Sequence, residues 1–349
     1  MQKIFFICIS MIFLYSSSLP LEKIDKTNFR EILGLKNDME VFYLMQGKYD
    51  GLNQEAYLHI TKDYYKNDII NITLPKQDKN FDIAIDSPTL YFGLDNKKLV
   101  IYGNYNGVDF SFIEDSNAKI NNIYFIESSL SKSFIANDEY KSEYNYEARI
   151  TKPIILDSTL KNIDKLNKSI SNNLDVKSLK ENLDSILKAN LKEYGNLDFN
   201  VEYIRTDSVG YIDDWILEID TFIYLYSGGA HGNSTKLMQL YNIESGESIP
   251  SSFEAVFDIN NNNKEKFLAL LSKSLEDKKD FLFEFPIYIL PNSFFLNTDG
   301  IIFMWNTYEI SPYASGMITT KISFDEVAQY LRDCEVGKFI NKMIAKSKE

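Results

Sequence analysis

Histidine and cysteine are almost missing from this chain of 349 residues, which holds His59, His231, Cys8 and Cys334 and no others. Zinc sites draw on Cys and His at short spacings, and no such spacing occurs here, so no metal site is expected. Cys8 lies in an apolar N-terminal run, so a chain cleaved after that run keeps one thiol and no internal disulfide. A chain of this length can rely on core burial alone. Cys334 stands beside an apolar stretch and reads as a packed side chain. Basic charge is also short, with 37 Lys and Arg against 50 Asp and Glu, a net charge of −13. So negative a surface repels phosphate backbones and anionic lipid faces, which argues against nucleic acid and favours a cationic partner. Walker loops, dinucleotide fingerprints and GxSxG elbows are all missing, so no cofactor is expected. Asp258-Ile259-Asn260-Asn261-Asn262 starts like a calcium loop, but Asn263 replaces the required glycine and Ala269 the closing acid.

No apolar run is long enough to span a bilayer comfortably. The longest at the N-terminus, Ile4 to Tyr15, falls short of the roughly twenty residues a hydrocarbon core needs. It follows Met1-Gln2-Lys3 and precedes Ser16, Ser17, Ser18 and Pro20, the basic, apolar, small order of a secretory signal peptide. Cys8 sits mid-run without a small residue pair ahead of it, which argues against a lipid anchor. Residues 1–18 are therefore expected to be a leader, and the protein to be exported, either periplasmic or secreted.

Residues 19–142 read as a β-rich module. Leu52 to Ile60, Ile69 to Leu74, Leu90 to Phe92, Leu99 to Tyr102 and Ile123 to Ile126 are β-branched or aromatic, and Asp, Asn, Gly and Pro clusters separate them. That pattern predicts an antiparallel meander with one wet face, as a small barrel or a curled sheet. Asn137 to Glu147 is polar and acidic and marks a boundary. Helical periodicity follows at Leu160, Ile163, Leu166 and Ile170, then at Leu179 to Leu191 as far as Gly195. Phe199 to Thr206 reads as a strand. Trp215 to Tyr226 pairs with Ser234 to Tyr241 as a hairpin, with Glu218 and Asp220 on a polar, solvated face. A helix carries Phe267, Leu270, Leu271 and Leu275. Asn297-Thr298-Asp299-Gly300 turns between two strands, and Ser323 with Glu326 forms a capping box before a helix through Leu331. Phe281, Phe283 and Phe285 alternate at period two and read as core or sheet. The expected class is α+β: an N-terminal antiparallel module followed by mixed antiparallel sheet and helices.

Two segments go beyond patterning: YSGGAHGN, Tyr226 to Asn233, and LNTDGIIFMWNTYEISPYASG, Leu296 to Gly316. With the strand, Ser cap and helix after the second, they resemble the paired outer domains of RsiV-type envelope proteins, over about Tyr146 to Asp333. The resemblance implies a PdaC-type domain at 143–249 and an RsiV-type domain at 250–349. RsiV-type proteins are membrane-spanning anti-sigma factors whose outer domain binds lysozyme, and other members carry the pair on a peptidoglycan deacetylase. This chain is expected to depart from both: no cytoplasmic segment is expected before the leader, and a deacetylase metal site needs Asp and two His in motifs lacking here. What the resemblance leaves is binding.

The residues expected to contact a partner are Gly228, Gly229 and His231 in the first segment, and Tyr308, Pro312, Tyr313 and Gly316 in the second. Glycines reach positive φ cheaply and suit an irregular hairpin tip. Tyrosine combines contact area with a modest entropy cost. The plainer reading is that His231 satisfies a turn and the tyrosines close a core edge. No catalytic residue stands out, because no nucleophile–base constellation accompanies His231. The expected function is an exported, non-enzymatic protein-binding module, with a cationic muramidase such as lysozyme as its most concrete partner. A protein that binds or modifies envelope glycan is the alternative.

Overall fold

The computed structural model describes residues 22–23, 26, 29–36, 39–62, 67–77, 79–115, 117–135, 143–156, 160–172, 181, 185, 188 and 200–346. The leader and most of the helix expected over Leu179 to Leu191 lie outside the described residues. The chain forms two compact units, Met1–Asn37 with Tyr43–Asn117, and Asp38–Phe42 with Ala118–Glu349. Among the described residues no helix is long and apolar enough to cross a membrane. The class is α+β.

The first unit is antiparallel. After β1 (Glu22–Lys23) and α1 (Phe29–Ile32) come β2 (Met39–Tyr49), which belongs to this unit from Tyr43 on, β3 (Leu52–Lys62), β4 (Asp68–Leu74), β5 (Lys79–Ala84), β6 (Leu90–Asp95), β7 (Lys98–Tyr105) and β8 (Val108–Glu114). Strand β3 joins β2 to β4 and β5, while β8, β7, β6 and β1 extend the sheet beyond β2. Buried residues alternate with exposed ones, as in Phe81 and Ile83 of β5. Phe81 stacks on Tyr105 of β7 with ring centroids 4.5 Å apart, so the sheet curls back on itself.

The second unit begins with β9 (Asn122–Ile135) and β10 (Glu143–Ile154), an antiparallel pair. Part of the stretch read as a boundary, 143–147, is thus strand. Helix α2 (Ile163–Asn172) buries Leu166 and Ile170 as its periodicity predicts. Strand β11 (Val201–Ile212) runs parallel to β10 and antiparallel to β12 (Ile216–Tyr226), and β12 pairs with β13 (Asn233–Asn242). Strand β14 (Ser248–Ile249) meets β13 only at Leu240 and Tyr241. Helices α3 (Phe253–Val256) and α4 (Asn261–Ser274) lead to a three-stranded sheet of β15 (Ser293–Leu296), β16 (Gly300–Trp305) and β17 (Ile318–Ser323). Ser252 and Ser323 cap α3 and α5 (Phe324–Val327) by accepting from backbone N–H groups.

The capped segment does not continue as one helix through Leu331. It tightens at Ala328–Tyr330, and a further helix, α6 (Glu335–Lys346), follows. Val336, Phe339 and Ile340 are buried there, with Met343 and Ile344 packed behind, a 3.6-residue periodicity that the sequence carries plainly. Cys334 is half-buried just before it, its Sγ accepting from Gly337 N at 3.4 Å.

Six rings form the centre of this core. Phe253, Phe257, Phe267, Phe294, Phe303 and Tyr330 meet at centroid separations such as 4.7 Å for Phe253–Phe257 and 5.4 Å for the edge-on pair Phe267–Phe303. Phe303 touches three of the others and is fully buried. Phe303→Ala is expected to cost about 3–5 kcal/mol, from lost transfer energy plus an unrelaxed cavity. Urea unfolding followed by tryptophan fluorescence checks this, and a loss below about 1 kcal/mol would show that the rings repack freely.

Candidate functional site

The β12–β13 hairpin ends at Ser227-Gly228-Gly229-Ala230-His231-Gly232. Gly228 and Gly229 take φ of 94° and 91°, a region that L side chains avoid, and the Tyr226 hydroxyl donates to the Gly229 carbonyl at 3.1 Å. A Cβ on Gly232 would fall 2.4 Å from the Tyr224 ring, so only glycine lets that ring lie across the turn. The second loop leaves β16 through Asn306. There Glu309 Oε2 accepts from Asn306 N at 2.9 Å, and Tyr308 adopts a φ of 71°, a conformation costing a non-glycine residue about 1 kcal/mol or more. Pro312 precedes a 3₁₀ turn over Tyr313–Ser315, and Gly316 closes it at φ 67°.

These loops, 77 residues apart, meet. The His231 ring stacks on Tyr313 with centroids 3.7 Å apart and planes 16° apart. His231 Nε2 lies 3.0 Å from the Tyr308 hydroxyl, and Nδ1 lies 3.1 Å from the Gly232 carbonyl. With Nδ1–H donating to that carbonyl, the neutral ring leaves Nε2 to accept from Tyr308. His231, Tyr308 and Pro312 are exposed and Tyr313 is half-buried. All seven residues expected from the sequence therefore lie in two touching loops. Asn306 and Gly232, which lie outside those seven, shape the junction: Asn306 Oδ1 accepts from Lys236 N of β13 at 3.2 Å. The Asn-Thr-Tyr-Glu run after Trp305 was the available signal, since Asn and Asp favour such side-chain-to-backbone turns.

Glu218 and Asp220 are not on a solvated face. Both are buried, because β15 lies over this side of β12 and its Leu296 N donates to Glu218 Oε2 at 2.8 Å. Asp220 Oδ2 pairs with Lys236 Nζ at 2.8 Å, and that ammonium lies 4.3 Å from the Phe295 ring centre. The remaining oxygens, Glu218 Oε1 and Asp220 Oδ1, turn toward Gly210 at the bulge of β11, where a Cβ would come within 2.4–2.5 Å of them. Burial, and then the Asp220 carboxylate, push the Glu218 carboxyl well above the ordinary 4.5, with Leu296 N and Lys236 pulling only partly the other way. Behind the same strand pair Asp207 is also raised by burial, opposed by Arg205 and Thr221, which reach its Oδ1 at 3.2 and 2.8 Å.

Residues 254–325 match a family described only as a protein of unknown function, DUF3298. This stretch is a DUF3298 domain. No curated protein matches the chain. A solved DUF3298 family member from Bacteroides fragilis is similar at 21% identity and a TM-score of 0.42, over 63% of this chain and 97% of that one. A DUF3298 family protein from Pseudomonas aeruginosa PAO1 is similar at 14% identity and a TM-score of 0.40, over 59% and 94%. The DUF3298 domain supplies Tyr308, Pro312, Tyr313 and Gly316, and the hairpin before it supplies His231.

The two clusters differ in what they can do. The His231 and Tyr308 rings reach solvent, and Tyr313 is half-buried against them. The carboxylate pair is buried beneath β15, away from solvent. Its role is structural and protonation-dependent. The folded state keeps the Glu218 proton at pH values where the unfolded chain has lost it, so stability falls as pH rises above about 4.5, by at most about 1.4 kcal/mol per unit. Glu218→Gln keeps an acceptor for Leu296 N and a donor for Asp220 without the proton. Its unfolding free energy relative to wild type is expected to climb from pH 5 to pH 8. Asp207 is present in both proteins and cancels. A difference that stays flat across urea titrations at these pH values would refute the account of a raised Glu218 carboxyl.

Proposed function

We propose that the chain is an exported, non-enzymatic binding protein of the cell envelope, and that the His231–Tyr308–Tyr313 junction is part of its contact surface. The observation that carries this reading is an exposed tyrosine held in left-handed backbone against a stacked histidine, where two loops meet. Strained, solvent-facing aromatics fixed by their own hydrogen bonds suit a preorganised contact, because little side-chain freedom is left to lose on binding. The leader pattern of residues 1–18 supports export. The net charge of −13 and the resemblance to RsiV-type proteins support a cationic protein ligand, of which a basic muramidase such as lysozyme is the concrete case.

The test is binding of the protein from Leu19 onward to purified lysozyme at physiological and at high salt. Tyr313→Ala and His231→Ala are each expected to weaken binding about tenfold, or about 1.4 kcal/mol, with part of the affinity surviving high salt. Tyr308→Phe, which keeps the ring and drops the hydroxyl bond to His231, is expected to lose less. An interaction that disappears with modest salt and ignores all three substitutions would mean only that an acidic protein meets a basic one.

A further inference from the structure

The run Glu276 to Tyr288, EDKKDFLFEFPIY, was expected to place its phenylalanines in core or sheet. It does neither in a simple way. Glu276–Phe281 is a 3₁₀ segment, and the chain then bends through 282–286 without joining a ladder. A period-two pattern assigns faces only where the backbone is an extended strand. Here Leu282, Phe285 and Ile287 turn inward onto the core, while Phe281, Phe283 and Tyr288 are left 59%, 57% and 59% exposed.

That exposure is built in. Ile287 N donates to the buried Ser272 Oγ at 3.1 Å, Lys278 Nζ donates to the Thr319 carbonyl at 2.6 Å, and the Trp305 indole donates to the Ile289 carbonyl at 3.0 Å. Phe283 N donates to the Ile310 carbonyl at 2.9 Å, and the Asn292 amide donates to Glu309. The segment therefore runs alongside 305–310, which carries Tyr308, itself 52% exposed. Single exposed aromatics are ordinary, but here four of them sit on two adjoining, pinned segments.

Charge decides what it fits. Four carboxylates and two lysines lie between Glu276 and Glu284. Lys279 pairs with Glu276 at 2.7 Å and also feels Asp280, Lys278 is turned to Thr319, and Asp277, Asp280 and Glu284 are exposed in the same run as the rings. A second copy of the chain docking face to face would set these acids against themselves. A basic partner meets opposite charge, and its Arg or Lys side chains can lie over the ring faces. We infer that Phe281, Phe283 and Tyr288 are the apolar anchor of an acid-rimmed docking surface, adjoining Tyr308, whose occupant is a basic protein. This rests on the binding reading above and extends the contact beyond the two loops.

The probe is purified lysozyme, titrated calorimetrically into the wild type, Phe281→Ser/Phe283→Ser, Tyr288→Ser and Tyr313→Ala, with a melting curve for each variant and sedimentation equilibrium of the free proteins. The double variant and Tyr288→Ser are each expected to bind at least tenfold more weakly with unchanged melting, since the replaced rings lie outside the core. Wild-type affinity in both of these, with Tyr313→Ala weakened, would overturn the anchor and leave the loop reading standing. The converse pattern supports the anchor and removes the loops. A wild type that ignores lysozyme at low salt overturns the basic partner. A wild-type dimer that Phe281→Ser/Phe283→Ser dissociates assigns the surface to a second copy and overturns it too.

Discussion

The seam where β15 crosses the β12–β13 hairpin governs the rest of the second unit. Along β13, the stretch from Ser234 to Gln239 is left uncovered by β14, which pairs only at Leu240 and Tyr241. An open sheet edge is a hazard unless its polar groups are occupied. Here Ser293 Oγ donates to the Lys236 carbonyl at 3.2 Å, and Asn306 Oδ1 takes the Lys236 N–H. On the adjoining face, Glu218 accepts from Leu296 N. Three polar contacts thus fix the DUF3298 sheet on the hairpin, and the loops beyond each follow. His231 meets Tyr313 because Asn306 sits where it does.

The seam explains why a carboxyl is tolerated at the centre of a sheet. An unpaired buried carboxylate is costly, and a hydrophobic residue at position 218 would leave Leu296 N without an acceptor. Glu218 satisfies that donor while burial pushes its carboxyl well above the ordinary range, and Lys236 pairs with Asp220 beside it. Gly210 provides the room. The same ammonium packs on Phe295, so one lysine ties strand β13 to the charge pair and to the aromatic side of β15. Buried polar networks of this kind can specify one docking geometry over others, because a shifted register would strand each member.

What could be read in advance follows from this division. Segments whose structure is set locally were legible: the Asn297–Gly300 turn, the Ser323 cap, the amphipathic α2 and the β12–β13 hairpin all depend on neighbours within a few residues. The glycine-rich tip and the SPYASG turn stood out for the same reason, since positive φ and proline leave local marks. That the two would touch was not readable, because their meeting depends on Asn306 and Ser293 across the seam. Glu218 and Asp220 were misplaced for a related reason. Alternation along a strand tells which residues share a face, and Ile216, Glu218 and Asp220 do share one, but not whether that face meets water or another sheet. Helix α6 is different: Val336, Phe339, Ile340, Met343 and Ile344 carry its periodicity in the sequence itself.

The Phe281–Phe285 run shows where patterning fails on physical grounds. Period two is evidence for a strand only if backbone partners are available. In this stretch Phe283 N finds Ile310, Pro286 has no N–H to give, and Ile287 N is taken by a serine side chain. With no ladder to join, the backbone bends, and burial is decided by which side chains the bends turn inward. Leu282 and Phe285 reach the core, while Phe281 and Phe283, equally apolar, do not. A sequence that spends two phenylalanines on solvent while pinning the backbone beneath them loses burial energy it had the composition to gain. The same holds for Tyr308, whose left-handed backbone is held by neighbours and not relieved. Both features cost stability, and both leave aromatic rings exposed on adjoining, pinned segments of one domain.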